Sequence, residues 1–391
     1  MSFKKIILKI HLWLGMGSGL IIFILGITGC IYVFDEELRP IVYQSSYFAD
    51  ETKNEKKNVS ELLKIVQDSI GKDKPINAIR IRNEKDATVI FYTSKGKENK
   101  NAIWYWDTQE YNYTIYVNPF TGKIQKIENT TTEFFNVIVF LHWSLLLTNN
   151  IGQPIVGIAV IVFIISLITG LILWWPKNKS AAKQRFWFRW KDNTQWKRKN
   201  YDLHNILGYY VTLFALVIAL TGLVWSFKWF DKSVKWIANG GQTIEKKKEN
   251  LISDLSQKKT QNLIDKISNT VEYSYPKAET YMISIPEDSL QTQFVYLENG
   301  GNFDRINLQF DQYSGKLLNT KTYADKNNGE KIRSLNYAIH SGGILGLPGK
   351  ILAFFASFIC AGLPVTGFYI WWGRNNKKKK TGGNKIIKAK I

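Results

Sequence analysis

"DLHNILGYYVTLFALVIALTGL", residues 202–223, sets His204 at the head of an apolar run long enough to cross a membrane. "KIHLWLGMGSGLIIFILGITGC", residues 9–30, does the same with His11. Counting from each histidine, a glycine stands at +4 and a Thr-Gly pair at +17 and +18: Gly15 and Thr28-Gly29 in one run, Gly208 and Thr221-Gly222 in the other. The chain has 391 residues and only four histidines, and two of them fall at matched positions.

Apolar runs able to span about 30 Å of hydrocarbon occur four times, at 10–34, 153–175, 205–227 and 351–372. Between the first and second, and between the third and fourth, lie roughly 100 polar residues, enough for a small folded domain each time. The expected organisation is a first span (1–35), an outer α+β domain (36–133), an outer helix with the second span (134–176) and a basic loop (177–200). A third span (201–230), a second outer domain (231–333), an outer helix with the fourth span (334–373) and a basic tail (374–391) follow. Cys30 and Cys360 both fall inside spans, where buried packing is the default for a thiol.

The net charge of +20 is concentrated in three places. The N-terminus carries Lys4, Lys5 and Lys9, the loop from 176 to 200 has nine Lys/Arg against Asp192, and the tail from Arg374 has eight and no acid. By the positive-inside rule these segments are cytoplasmic, so both termini are inside and both long loops outside. Because the charge flanks spans, it reads as topology and lipid contact, and no nucleic-acid partner is expected. "RFWFRW" (185–190) interleaves basic and aromatic residues, as an anchor at the membrane surface does. "ITGC" resembles a lipoprotein cleavage box, but the run is longer than a usual signal-peptide core and its Thr-Gly pair recurs in the third span.

The second and fourth spans match each other as well. "LHWSLLLTNNIGQPIVG…LITGLILWWP" carries His142, Gly170 and Trp174-Trp175, and "IHSGGILGLPGK…PVTGFYIWWG" carries His340, Gly367 and Trp371-Trp372. From histidine to the first tryptophan the counts are 32 and 31. In the outer segments "IYVNPFTGKIQKI" (115–127) and "LQFDQYSGKLLNT" (308–320) share a strand, an Asn or Asp, a Thr/Ser-Gly-Lys turn and a second strand. The fold class is a four-transmembrane-helix bundle from two parallel repeats with two α+β outer domains, the repeats related by an axis along the membrane normal.

Such an axis gives each membrane face one pair of histidines: His11 with His204 inside, His142 with His340 outside. Ionisable residues at spans are costly and point to function. Zinc wants a tetrahedral set of ligands, and no carboxylate or thiolate is spaced beside these histidines; copper or a proton relay would also use two imidazoles. Haem iron needs two axial ligands, one on each side of the macrocycle, and a four-helix bundle can house it. Gly15, Gly29, Gly208 and Gly222 leave gaps where a flat ring comes close to backbone, although small residues also simply let helices pack. The reading is two b-type haems, each held by two histidines. The breaks at "NNIGQP" and "GGILGLPGK" leave the depth of His142 and His340 open. "IWYWDTQEYNYTIYV" (103–117) reads as a pair of buried strands, with the lining of a substrate cleft as the alternative, and Arg333 is a candidate partner for a haem propionate.

Taken in order, "HLWLGMGSGL…TGC", "VNPFTGKI", "LHWSLLL…GLILWWP", "DLHNILGYY…TGL" and "IHSGGILGLPGK…TGFYIWW" resemble the PepSY-associated transmembrane helix family, in particular its inner-membrane ferrisiderophore (iron-uptake) reductases. The resemblance covers almost the whole chain. It implies four spans, PepSY-like periplasmic domains, b haem on His11, His204, His142 and His340, and reduction of a ferric siderophore on the periplasmic side. Some relatives carry a fused flavin reductase; here no glycine-rich nucleotide motif is present, so the expected electron donor is another molecule, a quinol or a cytoplasmic reductase. The alternatives are a non-enzymatic PepSY-type binding or protease-modulating membrane module, and a siderophore or peptide permease that would need polar residues at mid-membrane.

Overall fold

A computed structural model describes residues 2–52, 55–176, 178–244, 251–298 and 305–387. The end of the basic tail, 388–391, lies outside the described residues. Helices of eleven residues or more are α1 (Phe3–Tyr32), α2 (Val59–Ile70), α3 (Phe134–Ser144), α4 (Asn149–Trp174), α5 (Gly208–Ser226), α6 (Lys228–Ala238), α7 (Leu263–Ser274), α8 (Asn328–His340) and α9 (Gly346–Ile387). The chain divides into a helical unit (1–33, 138–230 and 339–391) and a sheet-bearing unit (34–137 and 231–338).

In the helical unit four stretches are long and apolar enough to cross a membrane: Phe3–Tyr32, Asn149–Trp174, Trp196–Ser226 and Gly343–Asn376. Each begins ahead of its apolar run, because a formed helix propagates cheaply into flanking polar sequence. α1 packs against α4 and α9, and α5 packs against the same two, which closes a four-helix ring with α1 and α5 on one diagonal. Small residues set the spacing. A Cβ at Gly26 of α1 would press to 2.8 Å on the Ala361 side chain and the Ser357 carbonyl of α9. Leu167, Val211, Ala215, Ala356 and Cys360 form the buried apolar centre.

Two chain breaks matter for the site. Past His142, α3 stops at Ser144, and Leu145 and Leu146 adopt φ of 57° and 63°, rare for residues with a side chain. Past His340, Gly342 and Gly346 adopt 76° and 64°. His142 and His340 therefore sit on helices of their own, ahead of the spanning helices α4 and α9.

The other unit is built on one antiparallel sheet of order β4-β3-β2-β1-β5-β6-β7-β8. The strands are β1 (Ala78–Arg82), β2 (Val89–Gly96), β3 (Gln109–Val117), β4 (Ile124–Asn129), β5 (Thr280–Ser284), β6 (Gln293–Glu298), β7 (Arg305–Phe310) and β8 (Leu317–Lys321). The two outer segments, expected as separate domains, thus share a single sheet. β1 pairs with β5 from Ala78↔Ser284 to Arg82↔Thr280, and the pairing covers two edges that would otherwise expose unpaired N–H and C=O groups. The order reads the same outward in both directions from this junction. α2 covers Ile79, Phe91, Ile115 and Val117 through Leu62 and Val66, and α7 covers Ile283, Val295, Leu297 and Phe310 through Ile267 and Val271.

The stretch 103–117 is one strand rather than two: β3 takes 109–117, a 3-10 turn takes Tyr105–Thr108, and Trp104 and Trp106 stack at 5.3 Å on the surface. The cause is local, since Tyr105 turns inward to donate its hydroxyl to the Thr131 carbonyl and the flanking tryptophans turn out. Arg333, expected near a propionate, pairs with Asp231 at 3.2 Å.

The β3–β4 and β7–β8 turns are built alike. Asn118 Oδ1 accepts the N–H groups of Phe120 and Thr121, and Asp311 Oδ1 accepts those of Tyr313 and Ser314. Gly122 (φ 78°) and Gly315 (φ 67°) close them in the left-handed region. Gly122→Ala and Gly315→Ala are each expected to cost about 1–2 kcal/mol, the penalty of a Cβ in that conformation, read as a lowered thermal midpoint of the solubilised full chain.

Candidate functional site

The four histidines form two pairs. His11, on α1, and His204, in the π-helical turn Leu203–Leu207 just before α5, have ring centres 6.3 Å apart with planes at 78°. His142, at the end of α3, and His340, at the end of α8, have ring centres 6.2 Å apart with planes at 70°. The π-turn widens the backbone at His204, as such turns often do at functional sites.

Each ring is held by a spanning helix of its own half of the chain. His11 Nδ1 lies 3.1 Å from Thr169 Oγ1 of α4, and His204 Nδ1 lies 2.9 Å from Thr366 Oγ1 of α9. At the other end His142 Nδ1 lies 3.0 Å from Thr28 Oγ1 of α1, and His340 Nδ1 lies 2.9 Å from Thr221 Oγ1 of α5. A glycine follows every one of these threonines, and the ring lies against it. A Cβ at Gly170 or Gly367 would stand 3.2 Å from Cε1 of His11 or His204, and one at Gly29 or Gly222 would stand 3.4 or 3.5 Å from Cε1 of His142 or His340. With Nδ1 and Cε1 turned to the supporting helix, Nε2 is the ring nitrogen left for a ligand.

This geometry fits one metal atom between each pair. Two metal–nitrogen bonds of about 2.0 Å, plus about 1.15 Å from nitrogen to ring centre on each side, place the ring centres about 6.3 Å apart. Two imidazoles on opposite sides of one iron are the axial set of a b-type haem. No group of three or more His, Cys, Asp or Glu suited to a metal ion occurs among the described residues, so nothing there completes a zinc-type site. A Cβ at Gly15 would meet nothing within 4 Å, which leaves open space one turn beyond His11, whereas one at Gly208 would meet Leu363 Cδ2 at 3.4 Å. Trp225 stands edge-on to His340 with centres 5.2 Å apart, shielding that pair from one side.

The matched offsets bring the four histidines, Gly29 and Gly222 to the two levels. Gly170 and Gly367 stood in the sequence beside their tryptophan pairs without a role. The four threonines were missed as ring partners, and their signal was a Thr-Gly pair in all four spans.

Fold and site together define a polytopic membrane protein with four apolar spanning helices and two imidazole pairs. Residues 8–374 match the model of the PepSY-associated TM region, so the chain belongs to that family. No curated relative matches it. A crystal structure of a putative lipoprotein from Clostridium difficile 630 aligns over 69% of this chain and 97% of that one, at 8% identity and a TM-score of 0.25, and carries no argument about this protein.

Proposed function

We propose that this protein is a di-haem b reductase of the bacterial cytoplasmic membrane that moves electrons across the bilayer to ferric iron in a siderophore on the periplasmic side. The observation that carries the reading is the pair of ring-centre separations, 6.3 and 6.2 Å, each the span of two imidazoles on one metal. When bound, the haems supply the one-electron chemistry. The chain's own part is to hold Nε2 of each ring in place, to clear room with glycine, and to surround the site with the buried apolar centre of Leu167, Val211, Ala215 and Ala356.

The charge distribution favours one direction, with the His11/His204 level on the cytoplasmic side beside the basic segments and the His142/His340 level outside. The two halves are read as copies in one orientation, with PepSY-like outer portions. The matched spacing of the spans, the like turns at Asn118 and Asp311, and the symmetric strand order favour this. The electron donor in this reading is a quinol or a cytoplasmic reductase. At the outer side one electron converts Fe(III) to Fe(II), which hard oxygen chelators hold less tightly, so the metal is released. A permease reading needs a polar path, and the buried centre offers an apolar one.

The test is the purified full chain from haem-supplied cells. The expected result is a reduced b-type α-band that reoxidises when a ferric hydroxamate siderophore is added, with Fe(II) captured by a chromogenic chelator in step. A colourless preparation would sink the proposal and favour the anchoring-module alternative. A coloured protein that the ferric siderophore leaves reduced would sink the substrate assignment alone.

A further inference from the structure

Four times over, one spanning helix presents a threonine hydroxyl and the glycine after it to a histidine, and at His11 and His340 the carbonyl three residues before the threonine as well. The threonine hydroxyls are already used as donors. Thr28 donates to Ile24 O at 2.7 Å, Thr169 to Ile165 O at 2.9 Å, Thr221 to Val217 O at 2.7 Å and Thr366 to Gly362 O at 2.9 Å. A hydroxyl has one proton, so toward the imidazole each oxygen accepts. The backbone carbonyls can only accept. Ser166 O lies 3.0 Å from His11 Nδ1 and Ile218 O lies 3.0 Å from His340 Nδ1, while at His142 and His204 the threonine oxygen, at 3.0 and 2.9 Å, is the acceptor that faces Nδ1. An Nδ1 that faces only acceptors must carry the hydrogen.

We infer that Thr28, Thr169, Thr221 and Thr366 are positioning residues that lock all four histidines in the Nδ1–H tautomer, leaving four Nε2 lone pairs aimed and ready before any metal arrives. Free histidine in water prefers its proton on Nε2, so the tautomer here is imposed by the helices. The glycine is the other half of the device: without a Cβ the ring edge lies flat enough against the helix for Nδ1 to reach the threonine oxygen. Hydrogen bonding at the far nitrogen also raises the basicity of the ligating one. Each threonine is therefore a lever on the metal that its histidine binds. Thr169 and Thr366 act on one level, Thr28 and Thr221 on the other.

The metal-free part of this inference stands without haem; the effect on potential rests on the function proposed above. With only four histidines, nitrogen NMR of the histidine-labelled full chain in haem-free form can resolve every ring. Four Nδ1–H rings are expected. Thr169→Val should move the His11 Nδ1–H proton signal upfield, the sign of a weakened bond, and leave the His142 and His340 signals in place, whereas Thr169→Ser should keep the wild-type position. In the haem-loaded protein, Thr169→Val and Thr366→Val should raise the midpoint potential of one redox wave and not the other, and serine should restore it. Wild-type rings protonated on Nε2, or a valine variant whose matched signal coincides with that of serine, would overturn the inference. A colourless protein with four Nδ1–H rings would overturn the haem reading and leave the tautomer lock standing.

Discussion

Purified His204→Ala protein is expected to hold half the haem of the wild type, and His340→Ala the complementary half. The pairs are His11 with His204 and His142 with His340, and no ring belongs to both. The 17 residues from His11 to Thr28, which marks the other level, correspond to about 26 Å of helix axis. At that separation the loss of one ring does not disturb the other pair. A b-type haem would be held without a covalent link to the chain, so the loss of one of its two imidazoles would release it. The fold should survive: alanine keeps the helix, and the freed Thr366 or Thr221 oxygen loses one hydrogen bond, worth about 1 kcal/mol net. The measurement is haem per chain by pyridine haemochrome, with the α-band of the remaining centre recorded in each variant. Full haem in either single variant, or complete loss in one, would show that the pairs do not act as separate centres.

How far the sequence carried differs between the two units, for physical reasons. The spans were legible because hydrocarbon demands an uninterrupted apolar run, and nothing else in the chain meets that demand. Their starts were not, because a helix continues past the hydrocarbon at little cost, as at Trp196. In the outer segments the alternation and turn residues announced strands, and the hairpins at Asn118 and Asp311 stand where the sequence indicated. The junction of β1 with β5 was hidden, since alternation tells which face of a strand is buried and not which distant edge it will meet. The histidine pairs were legible because the residue is scarce and its offsets match. The ring supports were harder to see. Offsets counted along α1 place Gly29 about 27 Å beyond His11 but do not tell which ring it meets there, which is His142. The helix that serves His11 is α4, and only packing reveals that Thr169-Gly170 stands at its level.

Gly170→Leu and Gly367→Leu are expected to abolish the centre at the His11/His204 level while sparing the other. A Cβ at either position already stands 3.2 Å from a histidine Cε1 and 3.7 Å from its Nδ1, tighter than ordinary contact, so even alanine requires a shift of a few tenths of an ångström. Leucine has to push the ring away from the helix, breaking the Nδ1 bond to threonine and turning Nε2 off the line to the facing ring. Overpacking of this kind costs about 1–3 kcal/mol, and here the strain is aimed directly at the ligand. Two readings of these glycines then separate. If they serve only to let helices approach, as Gly26 does between α1 and α9, substitution lowers the thermal midpoint and both haems decline together. If they clear room for the imidazoles, the protein keeps the redox wave and α-band of the His142/His340 level, loses those of the His11/His204 level, and the alanine variants fall between. Half the wild-type haem, all of it at the His142/His340 level, is the result that this geometry requires.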